Sequence, residues 1–191
     1  MSINEAPFEI IAGPGQVWLA PVGESFPAIN AAPAGNWIDL GETDGGIEIA
    51  FPQEIKELET DQAFFPKKPI RVKQRCTVKF SLAELTLENF ARVLNGVTVT
   101  DTPAGAGTPG HRSIPLQGSS SVKQYALLIR GPSPYGDWYL QFELDRVYQQ
   151  GEPTTRFVKD DKSVLATEWN CLEGSTTNQV GVLRAQDAAP L

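Results

Sequence analysis

From Ile70 to Leu82 the chain alternates with a period of two. Ile70, Val72, Cys76, Val78, Phe80 and Leu82 fall on one side, with Gln74 the single polar interruption, and Arg71, Lys73, Arg75, Thr77, Lys79 and Ser81 fall on the other. Successive side chains of a strand point to opposite faces. The pattern therefore predicts one long strand with one face in a core and the other in water or against a partner. At Leu85 the period changes. Leu87, Phe90, Ala91 and Leu94 stand at i, i+3, i+4 and i+7, the apolar stripe of a helix over 86–95. Thr86 suits its N-cap, with a hydroxyl able to accept from the backbone N–H of Asn89, and Glu88 suits the positive end of the helix dipole. Asn95-Gly96 is a stop signal, Gly96 being free to take a left-handed conformation.

Outside this unit helical runs are nearly absent, and Gly and Pro are frequent, so the expected class is mainly β with many turns. The chain reads as a β-sandwich or partly open barrel with one flanking helix and long loops. At 191 residues, without an internal repeat or a splitting linker, it is expected to form a single domain, with an extended arm over about 1–14 and a flexible tail over about 184–191. No apolar run reaches the ~20 residues that span a bilayer, and the first residues have neither the basic nor the apolar region of a signal peptide. Cys76 and Cys171 read as free thiols, which fits folding in a reducing cytosol.

The charge is organised in blocks. Asp39 to Asp61 holds eight acids, Glu54, Glu57 and Glu59 among them, against Lys56 alone. Lys67 to Lys79 holds six bases, Arg71, Lys73 and Arg75 included, and no acid. A hairpin with an acidic strand facing a basic one accounts for this, with cross-strand pairs of roughly 0.2–1 kcal/mol each. So does an electrically two-ended subunit that stacks on its own copies. The two readings are compatible, and these six residues are candidates for charge-complementary assembly.

Further strands are expected at Gln16–Ala20, Asn36–Leu40 and around Ile47–Ile49. Thr60 to Pro69 is a connection far longer than most hairpin loops, and it carries Phe64, Phe65, Pro66, Lys67 and Lys68. Either its aromatics fold back on their own domain or they touch a neighbour. With Phe8 and Ile10 of the arm, these residues are candidates for contacts between subunits. Later come a short strand at Val97–Thr100, a mobile loop over 101–110, and an edge strand at Ser113–Leu116. A hairpin of Val122–Arg130 with Asp137–Tyr148 follows, its second strand exposing Tyr139, Gln141, Glu143 and Asp145, and a core strand at Leu165–Leu172 comes last.

Catalytic chemistry has little to stand on. His111 is the only histidine and sits in a Gly/Pro loop, metal-ligand motifs are missing, and Gly105 and Gly107 do not lead from a strand into a helix. Glu143 could belong to a glycosidase pair of carboxylates, but almost any β-protein offers one. The reading is of a non-enzyme with no catalytic, metal or cofactor site, and core packing is the expectation for most of Trp18, Trp37, Trp138 and Trp169.

The run Val72–Gly96, with Ala83-Glu-Leu-Thr86 between strand and helix, resembles the major tail tube proteins of long-tailed (siphovirus-type) bacteriophages. Gly15–Gly23, Trp37–Gly41 and the turn Thr43–Gly46 are similar to that family's opening, and Lys159–Lys162 with Trp169–Leu172 to its closing strands. The resemblance implies a virion protein that forms hexameric rings with merged inner sheets. The rings stack into a hollow tail tube through which double-stranded DNA passes without specific binding. It implies self-association as the main partnership, with tape-measure, terminator and baseplate-initiator proteins as further partners and no membrane. A net charge of −7 suits a conduit that must not hold phosphate. Within this reading the Thr60–Pro69 loop and the arm contact the next ring, and the helix covers the outer face of the sheet. Two other readings stay open: a related component such as a tail terminator or secretion-system tube subunit, and a carbohydrate-binding β-module.

Overall fold

A computed structural model describes residues 10–175 and 178–189. In chain order its strands are β1 (Gln16–Pro21), β2 (Ile38–Asp39), β3 (Thr43–Ala50), β4 (Gln53–Leu58), β5 (Lys68–Gln74) and β6 (Thr77–Leu82). The helix α1 (Leu87–Val93) precedes β7 (Thr100–Thr102), β8 (His111–Ser113), β9 (Tyr125–Pro132), β10 (Tyr139–Gln149), β11 (Thr154–Thr155), β12 (Leu165–Cys171) and β13 (Gly181–Ala185). The class is mainly β with one helix, as the alternation and the turn residues predict, and no barrel closes among the described residues.

One antiparallel sheet of nine strands carries the core; seven follow the order β2-β1-β9-β10-β12-β6-β3, while β11 pairs with β12 and β13 with β10. It bends at β10. One edge of that strand pairs with β9, while the other pairs first with β13 (Leu140–Leu144) and then with β12 (Val147–Gln149). Sharing one edge between two strands lets the β12–β6–β3 half turn over the β1–β9 half. Gly181 begins β13 so close to β10 that a Cβ there would stand 2.0 Å from the Glu143 carbonyl oxygen, so the position needs a residue without one.

Val17 and Leu19 of β1 and Leu127 and Ile129 of β9 share one buried cluster with Val78, Phe80 and Leu82 of β6 and Leu165 and Trp169 of β12. Trp169 is the largest fully buried side chain. It stacks on Phe80 (6.4 Å between centroids, 8° between planes) and meets Tyr125 edge-on (6.0 Å, 79°). Its Nε1–H donates to Thr167 Oγ1 at 3.1 Å, whose own hydroxyl donates to the Phe80 carbonyl at 2.9 Å, so the indole is buried without an orphaned polar group. Cys76 and Cys171 are free. They are tied by a backbone bond from Cys171 N–H to Cys76 C=O of 2.9 Å. A side-chain hydrogen bond between the thiols pulls Cys76 below the ordinary thiol value against its desolvation, and the same bond together with burial pushes Cys171 well up.

The helix behaves locally as expected and globally otherwise. Thr86 is the N-cap, accepting from Asn89 N–H at 3.2 Å, and Glu88 lies in the first turn. Asn95 and Gly96 both take φ of 68° to end it. The helix does not lie on the outer face of the sheet, however. Val93 enters the interior cluster beside β6, and Asn89, fully embedded, donates to the carbonyls of Leu40 (3.1 Å) and Glu84 (3.0 Å). The helix therefore closes one end of the space between the two halves of the sheet.

Four other expectations are corrected. The loop over 101–110 is framed by the β7–β8 hairpin, which Arg112 ties to Glu88 of the helix at 2.8 Å and to Asp101 at 3.8 Å. The sheet continues past residue 184, because β13 runs to Ala185 and Gln186 N–H donates to the Tyr139 carbonyl at 2.9 Å. On the face of β10 read as exposed, Tyr139 is exposed but Gln141 and Glu143 are buried, and Gln141 Nε2 donates to the Pro27 carbonyl of the loop over 22–37 at 3.0 Å. The strand expected over Ile70–Leu82 is two strands, broken at Arg75-Cys76.

Replacing Trp169 by Ala should cost about 3–5 kcal/mol of unfolding free energy, the usual range for an aromatic removed from a packed core; chemical denaturation of the two proteins measures it.

Candidate assembly interface

The break at Arg75-Cys76 has a counterpart at Phe51-Pro52 on the neighbouring strand, and Arg75 N–H donates to the Pro52 carbonyl at 2.9 Å across it. β3 pairs with β6 inside the large sheet, and β4 with β5 beyond it. The two pairs are one ribbon that leaves the core at this point. The outer part extends about 20 Å at ~3.3 Å per residue, with the loop over 59–67 at its tip. Every residue from Phe51 to Arg75 is exposed except Ala63, which is half-buried. Ile70 and Val72, expected in the core, are therefore on the surface.

Backbone pairing alone holds this projection together. Lys67 N–H donates to the Leu58 carbonyl (2.9 Å) and Ala63 N–H to that of Thr60 (3.0 Å), which closes the tip. Phe64 is fully exposed and Phe65 is 81 % exposed. Of the two readings of these aromatics, folding back on their own domain is the one the structure rejects. Pro66 and Pro69 stiffen the returning segment, and Pro69 takes a position in a two-stranded ribbon where a missing N–H is tolerated.

The acidic and basic blocks do form the two arms of a hairpin, but close ion pairs are absent. Glu54 lies opposite Lys73, Ile55 opposite Arg71 and Glu57 opposite Pro69. Among the described residues, none of Glu54, Glu57, Glu59, Arg71, Lys73 and Arg75 is within ion-pair distance of an opposite charge. Arg71 instead donates to Gln74 Oε1 at 3.0 Å. These charges face outward, where they steer association at long range and are screened by salt.

Since opposite residues in an antiparallel pair share a face, the hairpin has two distinct sides. One carries Glu54, Lys56 and Leu58 of β4, opposite Lys73, Ile70 and Lys68 of β5. The other carries Ile55 and Glu57, opposite Arg71 and Pro69. Val72 is the extra residue of a bulge in β5. Leu58 and Lys56 on the first side were not singled out by sequence reasoning. Of the arm, Ile10 is exposed, and Phe8 lies outside the described residues.

Glu143 Oε1 accepts from Gln141 Nε2 (2.7 Å) and from Arg184 Nε (2.8 Å), so it anchors β13 to β10. Gln141 also accepts from the buried Arg130 Nε at 2.9 Å, and Arg130 reaches the Ala31 carbonyl at 2.7 Å, which fastens the loop over 22–37. His111 is exposed on β8. Among the described residues, no group of three or more His, Cys, Asp or Glu is placed to hold a metal, and no helix is long and apolar enough to cross a membrane.

Because Phe64 and Phe65 touch nothing in their own domain, the double variant F64S/F65S should unfold within about 0.5 kcal/mol of the parent. Thermal and urea unfolding check this, and a larger loss would mean that the aromatics pack on their own chain.

A comparison with curated proteins returned no match. The family model described as "Phage tail tube protein" matches residues 1–178 of the 191. That family is a structural one and not an enzyme family. A projecting, unpartnered hairpin on a β-domain fits that role, and the match spans nearly the whole sequence: the chain belongs to the phage tail tube protein family.

Proposed function

We propose that this chain is the repeating subunit of a tail tube, forming homohexameric rings that stack into a hollow conduit for double-stranded DNA. The observation that carries the reading is the exposed ribbon over 51–75. It displays Phe51, Ile55, Leu58, Phe64, Phe65, Ile70 and Val72 on one projection, and so many exposed apolar side chains on one element mark an interaction site. A two-stranded hairpin is marginal by itself in water, so its length makes sense as a part that is completed by a neighbour. The contact candidates Phe64, Phe65, Pro66, Lys67 and Lys68 stand at the tip, with Ile10 and Phe8 of the arm as a second group.

Other features support the same reading. The sheet ends on β3, whose outer edge has no partner strand among the described residues. Ring closure is one way to satisfy such an edge, which otherwise invites uncontrolled pairing. The net charge of −7 opposes adhesion of phosphate to the protein. Two free thiols suit folding in the cytoplasm of a bacterial host before incorporation into the virion tail. Tape-measure, terminator and baseplate-initiator proteins are the further partners this role requires.

Replacing Thr60–Pro69 by a two-residue Asn-Gly turn should leave a folded protein, judged by circular dichroism, that no longer forms tubes in negative-stain electron microscopy. Tubes of normal length from that variant would remove the hairpin tip from the interface. Wild-type protein that stops at single rings would point to a terminator.

A further inference from the structure

We propose that Cys76 and Cys171 form a site of oxidative cross-linking, where a peroxide converts the two thiols into an intramolecular disulfide that staples β12 to the root of the ribbon. They are the only cysteines of the chain, and both are free. The register that sets Thr77 against Asn170 places Cys76 directly opposite Cys171, and the 2.9 Å bond from Cys171 N–H to the Cys76 carbonyl runs between them. An opposed pair joined by such a bond has its Cα atoms about 5.5 Å apart. A disulfide requires roughly 4.4–6.8 Å. Opposite residues also share a face of the sheet. Both side chains accordingly turn to the same interior, Cys76 within the large cluster and Cys171 packed against it.

The two thiols are unequal in a way that suits the chemistry. Cys76 is 1 % exposed and Cys171 is half-buried. The Cys171 thiol donates a hydrogen bond to Cys76, which holds Cys76 below the ordinary thiol value and makes it the nucleophile of the pair. Cys76 also lies at the break in the ribbon, outside both β5 and β6. Local opening at such a break admits a small oxidant, and freedom there lets the bridge reach its preferred dihedral of about 90° in either sense. The Cys76 thiolate attacks one oxygen of hydrogen peroxide, which breaks the O–O bond, leaves a sulfenic acid and releases hydroxide. Cys171 gives its proton to that hydroxide and attacks the Cys76 sulfur, so the S–S bond forms as the S–O bond breaks. The departing hydroxide takes up the proton that Cys76 first gave up. The two sulfurs are oxidised by two electrons in all, and one peroxide becomes two waters.

The test treats the purified wild-type protein with hydrogen peroxide and follows its thiols by alkylation and peptide mass spectrometry. The expected product is a monomer lighter by two hydrogens, with a reductant-sensitive link between the peptides of Cys76 and Cys171. Its melting temperature should rise by about 5 °C or more, because a bridge across so long a stretch of chain restricts the unfolded state. Hydrogen exchange at the Cys171 amide should slow about tenfold or more. In C171S the sulfenic acid at Cys76 has no partner, so it should persist and be trapped by dimedone; if that variant does not fold, the wild-type cross-link still decides. Thiols that stay fully alkylatable, sulfinic or sulfonic acid without a cross-link, or disulfide-linked dimers would each overturn the inference. So would a bridged monomer that melts below the reduced one. None of these outcomes depends on tube formation, so this inference and the tube reading stand or fall separately.

Discussion

Backbone hydrogen bonds between two strands are indifferent to whether a core lies beneath them, and this chain exploits that. The ladder that begins between β3 and β6 resumes between β4 and β5 across the break at Pro52 and Arg75. Over its inner part the ribbon has Val78, Phe80 and Leu82 buried against the opposite half of the sheet. Over its outer part it has only its own pairing. Everything distinctive about the surface depends on the inner part being held firmly enough to project the outer one. The stacked Phe80–Trp169 pair and the hydrogen-bonded Thr167 beneath it do that holding.

A second set of interactions keeps the remainder of the sheet from competing for partners. Arg130, Gln141 and Glu143 are buried polar residues whose bonds run to one another, to Arg184 and to carbonyls of the Val22–Trp37 loop. Buried groups of this kind are tolerated only when satisfied. Here they fasten a long loop over β1 and β9, where Trp18 and Trp37 complete a separate small cluster. One half of the sheet's outer surface is thereby covered by the chain itself, and the β3–β6–β12 half is left open.

Much of this was legible in the residues. Local signals did best: the cap at Thr86, the stop at Asn95-Gly96, the β9–β10 hairpin, and the core strand around Trp169. Alternation correctly marked Ile70–Leu82 as extended, but period alone does not say what an apolar face is buried against. Ile70 and Val72 carry the same signature as Val78 and Phe80, yet they lie beyond the core. The clue was Gln74, the polar interruption, which stands where the ribbon emerges. Gln141 and Glu143 were misplaced for the converse reason. Nothing near them in sequence indicates that a loop more than a hundred residues earlier covers them. Glu48 was visible in the Ile47-Glu48-Ile49 alternation, but its place in one cross-strand row with Lys79 and Glu168 is a product of strand order.

A subunit with a ribbon projecting on one side would give a stack of copies, assembled as proposed above, a direction. At one terminus of such a tube the hairpins would stand free with their exposed aromatic side chains, and at the other terminus none would project. A protein that begins the tube and one that finishes it would then meet dissimilar surfaces.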